Sequence, residues 1–494
     1  MPGSWSKGTA LTLLIVTSAL NAAGELAIRS LITRAPLASS LAEAFKLKGF
    51  TLALVGGCVR DAILGRLGND LDFTTNALPQ ESKKILQGWA ENIWDTGIAF
   101  GTVAGKRGDT TVEVTTFRSE QYDSLSRKPD VTYGKDILGD LSRRDFTVNA
   151  MALELTRSEP EFIDPFNGIQ DLAKKILKTP VRPDDSFNDD PLRMMRAARF
   201  ASQLDVDIHP EVIDSMKTLS SRIAIVSAER VRDEFEKILM SPNPRTGITI
   251  LVNTGLADIV IPEIPKLRLE VDEHHHHKDV YEHSITVLEQ SMALEDRLSG
   301  PNLVIRLAAL LHDIGKPKTR SFIDGGGVSF HHHEVVGARL AKKRLQALRF
   351  DSHTIDAVET LIALHLRFHG YGDGEWSDSA VRRYVRDAGE LLTHLHILTR
   401  ADCTTRNQAK AVRLSGIYDS LEARIDVLME QEELSKIRPD LDGAEVMALL
   451  NLKPSREVGA AMDFLMELRL DLGPIGKERA SVELLKWWED RSSK

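Results

Sequence analysis

The chain has 494 residues, 42% hydrophobic and 27% charged, a balance that excludes wholesale disorder and, at ~150 residues per domain, accommodates about three domains. A formal net charge of −9 excludes non-specific coating of nucleic acid, so a specific RNA partner must be met by local basic patches. Two cysteines, Cys58 and Cys403, exclude a disulfide framework and fit a reducing compartment, and an aromatic content of 6% argues against a fold dominated by base-stacking platforms.

Ala10 to Leu20 (ALTLLIVTSAL) is an apolar run preceded by Lys7 and followed by Asn21-Ala22-Ala23. It has the outline of a signal peptide and is too short to span a bilayer. Residues 1–35 are read instead as a disordered or helical leader of a cytoplasmic protein. No other segment reaches the ~18 apolar residues of a membrane helix, so no membrane partner is expected.

Phe50 to Glu154 reads as mixed α/β: an apolar strand (Phe50 to Val55), Gly56-Gly57, a helix from about Val59, then alternation around Leu71-Asp72-Phe73 and from Thr111 to Phe117. From about Lys174 the pattern is helical almost to the end, punctuated by Pro180, Pro183, Pro191, Pro242, Pro244, Pro262 and Pro265. A boundary falls between Pro262 and Lys278, and Gly325-Gly326-Gly327 marks a loop. The expected organisation is an α+β head with a mixed sheet at 36–173, a helical neck at 174–262, a histidine-rich domain at 263–415 and a C-terminal helical tail at 416–494. No repeat of solenoid period is present, and the sequence assigns no oligomeric state.

Gly56 and Gly57, between a strand and a helix start, let backbone N–H groups approach a phosphate, and Arg60 adds charge to that cradle. Asp70 and Asp72, at i and i+2 on a strand, project to one side. Paired carboxylates beside a phosphate site suit hard Mg²⁺ ions. In Thr111 to Phe117 the apolar Val112 and Val114 turn inward, so Glu113 turns the other way, toward the carboxylate pair if the two strands are neighbours.

Gly56-Gly57-x-Val59-Arg60-Asp61 followed by Asp70-x-Asp72 resembles the nucleotidyltransferase superfamily, and within it the class II tRNA nucleotidyltransferases (CCA-adding enzymes) and the related bacterial poly(A) polymerases. The resemblance continues through Arg143 to Met151 (RRDFTVNAM), Asp189 to Phe200 (DDPLRMMRAARF) and Ala228 to Arg232 (AERVR), from about Phe50 to Leu239. It implies a polymerase-β-like head that transfers nucleotides from CTP and ATP to tRNA, with Asp70, Asp72 and Glu113 as catalytic residues and Mg²⁺ held by Asp70 and Asp72. It also implies nucleotide contacts by Gly56, Gly57, Arg60, Arg144, Asp145, Asn149, Asp190, Arg193, Arg196 and Arg199. Asp190 and Arg193 are expected at i and i+3 on one helix face, after Asp189 as its cap. An aspartate only accepts and an arginine only donates, which complements the amine and ring nitrogen shared by cytosine and adenine and leaves buried groups unpaired against guanine and uracil. Relatives carry Glu where this chain has Asp189. Glu120 to Ser142 resembles the flexible loop used in switching from C to A, and Ile98 to Val103 stands where poly(A) relatives carry a basic run; both favour complete CCA addition. The alternatives are a poly(A) polymerase, an A-only adding enzyme, or an HD-domain metal phosphohydrolase with an RNA-binding head; a non-catalytic RNA scaffold would have no need of three convergent carboxylates.

Fifteen histidines occur in the chain, concentrated between His274 and His396. His283, His312-Asp313, His333, His365 and Asp402 follow the order of the HD phosphohydrolases, with Leu311 to Lys316 (LHDIGK) as signature. The resemblance implies a site for Mn²⁺, Ni²⁺, Mg²⁺ or Zn²⁺ and an additional phosphoester hydrolase activity. His274 to His277, His331 and His332 are not assigned as ligands. Three basic stretches are candidate RNA surfaces: Arg339, Lys342, Lys343, Arg344 and Arg349; Arg382, Arg383 and Arg386; Arg400, Arg406, Lys410 and Arg413. Leu441 to Gly459 resembles the small C-terminal module of long family members, and Trp487 and Trp488 are read as a packed helix end.

Overall fold

The computed structural model describes residues 36–117, 136–268, 279–322, 328–371, 376–404, 407–432 and 437–492. The leader, the first part of the Glu120 to Ser142 loop, His274 to His277, Gly325 to Gly327 and Arg406 lie outside the described residues. Contacts divide the chain into two units, residues 1–260 and 261–494.

The first unit is built on helices α1 (Pro36–Lys46), α2 (Gly57–Ile63), α3 (Pro79–Trp89), α4 (Ile137–Ser142) and α5 (Gly168–Ala173) and on strands β1 (Leu52–Val55), β2 (Asp70–Thr75), β3 (Asn92–Trp94), β4 (Thr102–Arg107), β5 (Thr110–Thr116), β6 (Ala152–Glu154) and β7 (Glu161–Ile163). The strands form one mixed sheet in the order β3-β4-β5-β2-β1-β6-β7, in which only β2 and β5 run parallel. Period-2 alternation turns Leu71, Phe73, Val112 and Val114 into the core with Leu52, Leu54 and Val103. Helix α1 covers that core with Leu41, Ala42 and Phe45, spaced as one helical face. On β2 and β5 the alternate side chains Asp70, Asp72 and Glu113 are exposed on the opposite face, while those of β1, Ala53 and Val55, pack with Leu141 and Ala152 in a second small core.

The helical part of this unit comprises α6 (Pro183–Asp189), α7 (Leu192–Leu204), α8 (Pro210–Leu219), α9 (Ala228–Leu239), α10 (Pro244–Asn253) and α11 (Ala257–Val260), with a short parallel pair, β8 (Ile176–Leu177) and β9 (Asp207–Ile208). α7 is packed by α9 and α10 and buries Met194, Met195, Ala197, Ala198 and Ala201.

The second unit holds α12 (Val280–Met292), α13 (Leu303–Leu311), α14 (Lys316–Thr319), β10 (Ser321–Phe322) and β11 (Val328–Ser329). It continues with α15 (His333–Ala347), α16 (Ser352–Leu364), α17 (Asp378–Ala388), α18 (Leu392–Asp402) and α19 (Gln408–Glu432), and closes with α20 (Gly443–Leu450), α21 (Arg456–Leu472) and α22 (Lys477–Ser492). The last three share a core of Val446, Ala461, Leu465, Ala480 and Leu484, and Trp487 stacks on Phe464 at 4.9 Å, as expected of a packed helix end. Among the described residues, no helix is long and apolar enough to cross a membrane.

The basic stretches read as RNA surfaces are largely engaged inside this unit. Arg382 is buried, with Nε and Nη2 on Glu432 and Nη1 on the Leu470 carbonyl; Arg383 meets Glu467 and Asp471, and Arg386 meets Glu467. Lys342 pairs with Glu359, Arg344 with Glu263, and Arg400 with Asp419 and Glu422. The acids that neutralise these cations are mostly far away in sequence, so the stretches looked unopposed along the chain.

Candidate active site and metal centre

Because β2 and β5 pair in parallel with Asp72 opposite Glu113 and Asp70 opposite Thr111, the three carboxylates Asp70, Asp72 and Glu113 stand on one face of the sheet. Burial raises the Asp72 carboxyl above its usual pKa and Asp70 adds to this, while Arg144 works against it. Glu113 is likewise raised by burial, then by Asp72 and Asp70. Crowded like charges with oxygen-only donors are the donor set of a hard divalent cation, which would reverse this repulsion, so the residues fit Mg²⁺.

Cys58 is a part of this site that sequence reasoning missed. Its thiol donates to the Asp70 carbonyl and its Sγ accepts from the Asp72 N–H, both at 3.2 Å, so it grips the backbone on either side of Leu71. Burial pushes the thiol up to about 12, which leaves it protonated and inert as a nucleophile.

Gly56, which follows β1, has φ 72°, a conformation that favours glycine, and the Arg144 guanidinium stands close enough that a Cβ there would lie 2.8 Å from Nη1. Arg60, buried, donates to Asn149 Oδ1 and to Asp61. Asn149 donates to Asp145 Oδ1 at 3.0 Å, which also accepts from the Phe146 N–H, while Asp145 Oδ2 takes Arg196 Nε at 2.8 Å. Burial opposes the Asp145 charge, yet Arg196 and Asn149 hold its carboxyl below the usual range. Arg60, Arg196 and Arg199 lie 5.2, 5.5 and 4.2 Å from the Phe200 ring centroid. Buried Glu234, on α9, faces Arg199 at 3.0 Å and Arg196 at 3.9 Å. Sequence reasoning passed over Glu234, although it sits on the apolar face of α9 with Val231, Phe235 and Ile238, a signal for a buried counter-ion.

The expected Asp190–Arg193 pair on one helix face is corrected by the structure. Asp189 ends α6, Asp190 is extended (φ −140°, ψ 101°), and α7 begins only at Leu192. The residue before a proline is kept out of the α region, and Pro191 follows Asp190. Asp190, just before the Pro191 N-cap, accepts from the Leu192 N–H at 3.1 Å, while its other oxygen takes Arg230 at 2.9 Å. Arg193 donates to Ser186 and to the Arg143 carbonyl. The two groups are neighbours, but their side chains are held by separate partners.

In the second unit, α12, α13, α15, α16 and α18 deliver His283, His312-Asp313, His333, His365 and Asp402 to one place. His283 Nε2 is 2.9 Å from Asp402 and 3.3 Å from His312 Nε2, and His333 Nε2 is 3.3 Å from Asp313 Oδ1. The ring centroids run His283–His312–His365–His333 at 5.2 to 5.3 Å. The Nδ1 atoms of His312, His333 and His365 each bond the carbonyl three residues earlier, and that of His283 bonds Thr404, an arrangement that turns every Nε2 inward. Burial opposes charge on His312, yet Asp313 and Asp402 raise it to about 10; burial and the His312 charge push His365 down to about 3. His333 Nε2, His365 Nε2 and Asp313 Oδ1 are buried without an aligned hydrogen-bond partner. Within two triads, His283–His312–Asp313 and Asp313–His333–His365, the candidate ligand atoms lie within 4.8 Å of one another, so the set fits a divalent metal. Gly315 permits this packing, since a Cβ there would stand 2.1 Å from the His333 carbonyl.

The family described as "Poly A polymerase head domain" matches residues 52–178, "Probable RNA and SrmB- binding site of polymerase A" matches 205–267, and "HD domain" matches 280–407. An A-adding tRNA nucleotidyltransferase of Deinococcus radiodurans is 32% identical over 447 residues, covering 89% of this chain and 96% of that protein. A CCA-adding enzyme of Limosilactobacillus reuteri is 42% identical over 209 residues, 42% of this chain and half of the relative's length. In fold, the chain resembles a CTP complex of the Bacillus stearothermophilus CCA-adding enzyme (TM-score 0.64, 22% identity, 93% of this chain and 98% of that one). It also resembles a Thermotoga maritima CCA-adding enzyme complexed with tRNA (TM-score 0.59, 18% identity, 94% and 98%). With its carboxylate-bearing head, its arginine-rich helix and its HD domain, the chain belongs to the tRNA nucleotidyltransferases, the family of the CCA-adding and A-adding enzymes.

Proposed function

We propose that this nucleotidyltransferase adds C, C and A to tRNA 3′ ends from CTP and ATP, without a nucleic-acid template. The RNA 3′-oxygen bonds to the α-phosphorus, the bond to the β-phosphate oxygen breaks, and pyrophosphate leaves in line. The observation that carries this reading is the in-register placing of Asp70, Asp72 and Glu113 on one sheet face, with Arg144 linking them to Gly56. Mg²⁺ held by Asp70 and Asp72 would supply charge neutralisation and activation of the attacking hydroxyl. Glu113 supports the geometry of that pair. The Gly56 N–H is taken by the Met151 carbonyl, so Gly56 shapes the turn while Gly57 presents its backbone N–H and Arg144 its guanidinium to the triphosphate; Asp145, Asn149 and Glu234 hold Arg60, Arg196 and Arg199 in place. Asp190 and Arg193 read the pairing edge of the base. We take the reaction to be cytoplasmic, since its substrates are nucleoside triphosphates and tRNA.

The test is sequencing of 3′ products made with all four nucleotides from tRNAs ending at the discriminator base, in C, or in CC. CCA addition extends all three acceptors to CCA. Arg193→Ala and Asp190→Ala are expected to raise G and U incorporation relative to C and A by about 10²-fold, because the unpaired-group penalty against the wrong edge is gone. The second reading is A-only addition, favoured by the relative matched over most of the chain; that enzyme would extend only the CC-ending acceptor.

The HD residues form, in this reading, a centre for Mn²⁺, Ni²⁺, Mg²⁺ or Zn²⁺ that hydrolyses a phosphoester such as a 2′,3′-cyclic phosphate. Mn²⁺ or Ni²⁺ added to chelator-stripped protein at about 100 times its Kd is expected to stabilise this unit by about 2.7 kcal/mol. Differential scanning calorimetry should show the shift, and His365→Ala should remove most of it.

A further inference from the structure

We propose that Trp94, with Lys106 beside it, is the stacking platform that holds the unpaired 3′ strand of the RNA substrate; this rests on the nucleotidyltransferase reading of the carboxylates. The order of strands divides the open sheet face in two. β1, which ends in the Gly56 cradle, lies on one side of the carboxylate-bearing β2, and β5, β4 and β3 lie on the other. In an in-line displacement the attacking oxygen and the leaving pyrophosphate are on opposite sides of the phosphorus. With the triphosphate toward β1, the RNA strand therefore lies over β5, β4 and β3.

The register shows what it meets there. Asp72, Glu113, Ala104 and Trp94 are cross-strand partners in one row, and Asp70, Thr111, Lys106 and Asn92 form the next. Cross-strand partners project to the same face, so Trp94 and Lys106 share the face of the carboxylates. Among the described residues of these two rows, the short side chains of Ala104 and Thr111 are what separates Trp94 from Glu113 and Lys106 from Asp70. Trp94 is 45% exposed although tryptophan is usually well covered, Lys106 is exposed, and Phe100, in the connection from β3 to β4, is 54% exposed. Three strand spacings separate Trp94 from Asp72, about 14 Å, a span of a few nucleotides from the point of attack. Asp95, the acid next to Trp94, is paired with Lys83 at 2.6 Å and does not stand unopposed against a phosphate. An aromatic face with a flanking cation, continuous with the reaction centre, suits single-stranded RNA, whose bases stack irrespective of sequence.

The test uses the full chain and an acceptor minihelix ending in CC, whose unpaired strand runs from the discriminator nucleotide to the attacking terminus. Trp94→Ala is expected to weaken minihelix binding, measured by fluorescence anisotropy, by about 5- to 50-fold, and to raise KM for RNA in parallel. KM for ATP should stay unchanged and Trp94→Phe should restore most of the loss. Lys106→Ala should lower the salt dependence of binding by about one ion. With 5-iodouridine at the discriminator position, two nucleotides back from the attacking terminus, ultraviolet crosslinking should map to Trp94 or Phe100. RNA affinity within twofold of wild type in Trp94→Ala, or a crosslink elsewhere in the chain, overturns the platform. If the wild-type chain transfers neither C nor A, the nucleotidyltransferase reading of the site fails instead; binding and crosslinking need no turnover and still decide on Trp94.

Discussion

Replacing Asp72 by Asn is expected to lower nucleotide addition by about 10³-fold while leaving the melting temperature of the metal-free protein unchanged or raised. The loss follows from removing one of two carboxylates that would hold cations against the triphosphate. The retained stability follows from the same geometry. The bond from the Asp72 N–H to Cys58 Sγ is made by the backbone and survives the change, as do Leu71 and Phe73 in the core. What disappears is a charge disfavoured on balance, since desolvation and the repulsion of Asp70 outweigh the attraction of Arg144. Sites built for charged ligands are commonly stabilised when emptied of their charge. Incorporation of labelled CMP or AMP together with a thermal melt checks both halves; a variant that keeps its activity would remove Asp72 from the reaction.

Asp145→Ala is expected to do the reverse and damage the fold as well as the site. Asp145 accepts from Phe146, Asn149 and Arg196, and its loss strands the buried Asn149 amide and leaves the half-buried Arg196 guanidinium with Glu234 at 3.9 Å. Leaving a buried donor unsatisfied costs about 1–3 kcal/mol, seen as an early transition of the N-terminal unit in urea. The pH dependence has a definite sign. The folded pKa of Asp145 is depressed below its unfolded value, so its contribution is fully present above the unfolded pKa, about 3.9, and is lost as pH falls through the folded one. The gap between wild type and Asp145→Ala should therefore be widest near neutral pH and shrink below about pH 4.

Much of the site can be read along the chain because its chemistry is local. Asp70 and Asp72 share a face through the period of a strand, Gly56 and Gly57 stand at the end of an apolar strand, and His312-Asp313 lie adjacent at the end of an apolar helix. Even the misplacing of Asp190 on a helix had its warning in Pro191, which keeps the preceding residue extended. Glu234 carried one too, as a lone acid on an apolar helical face.

What the chain determined by itself, then, is the direction each side chain takes from its own element, since alternation and helical period are properties of neighbouring residues. Which elements become neighbours was decided only by the tertiary structure. The parallel pairing of β2 with β5 sets Glu113 opposite Asp72, and strand order puts Trp94 in the same row. Acids remote in sequence, Glu263, Glu432 and Glu467 among them, neutralise the arginines that looked free for RNA. The physical reason is that charge pairing and sheet register are settled through space, by burial and by contacts between segments tens of residues apart, and no local period encodes them.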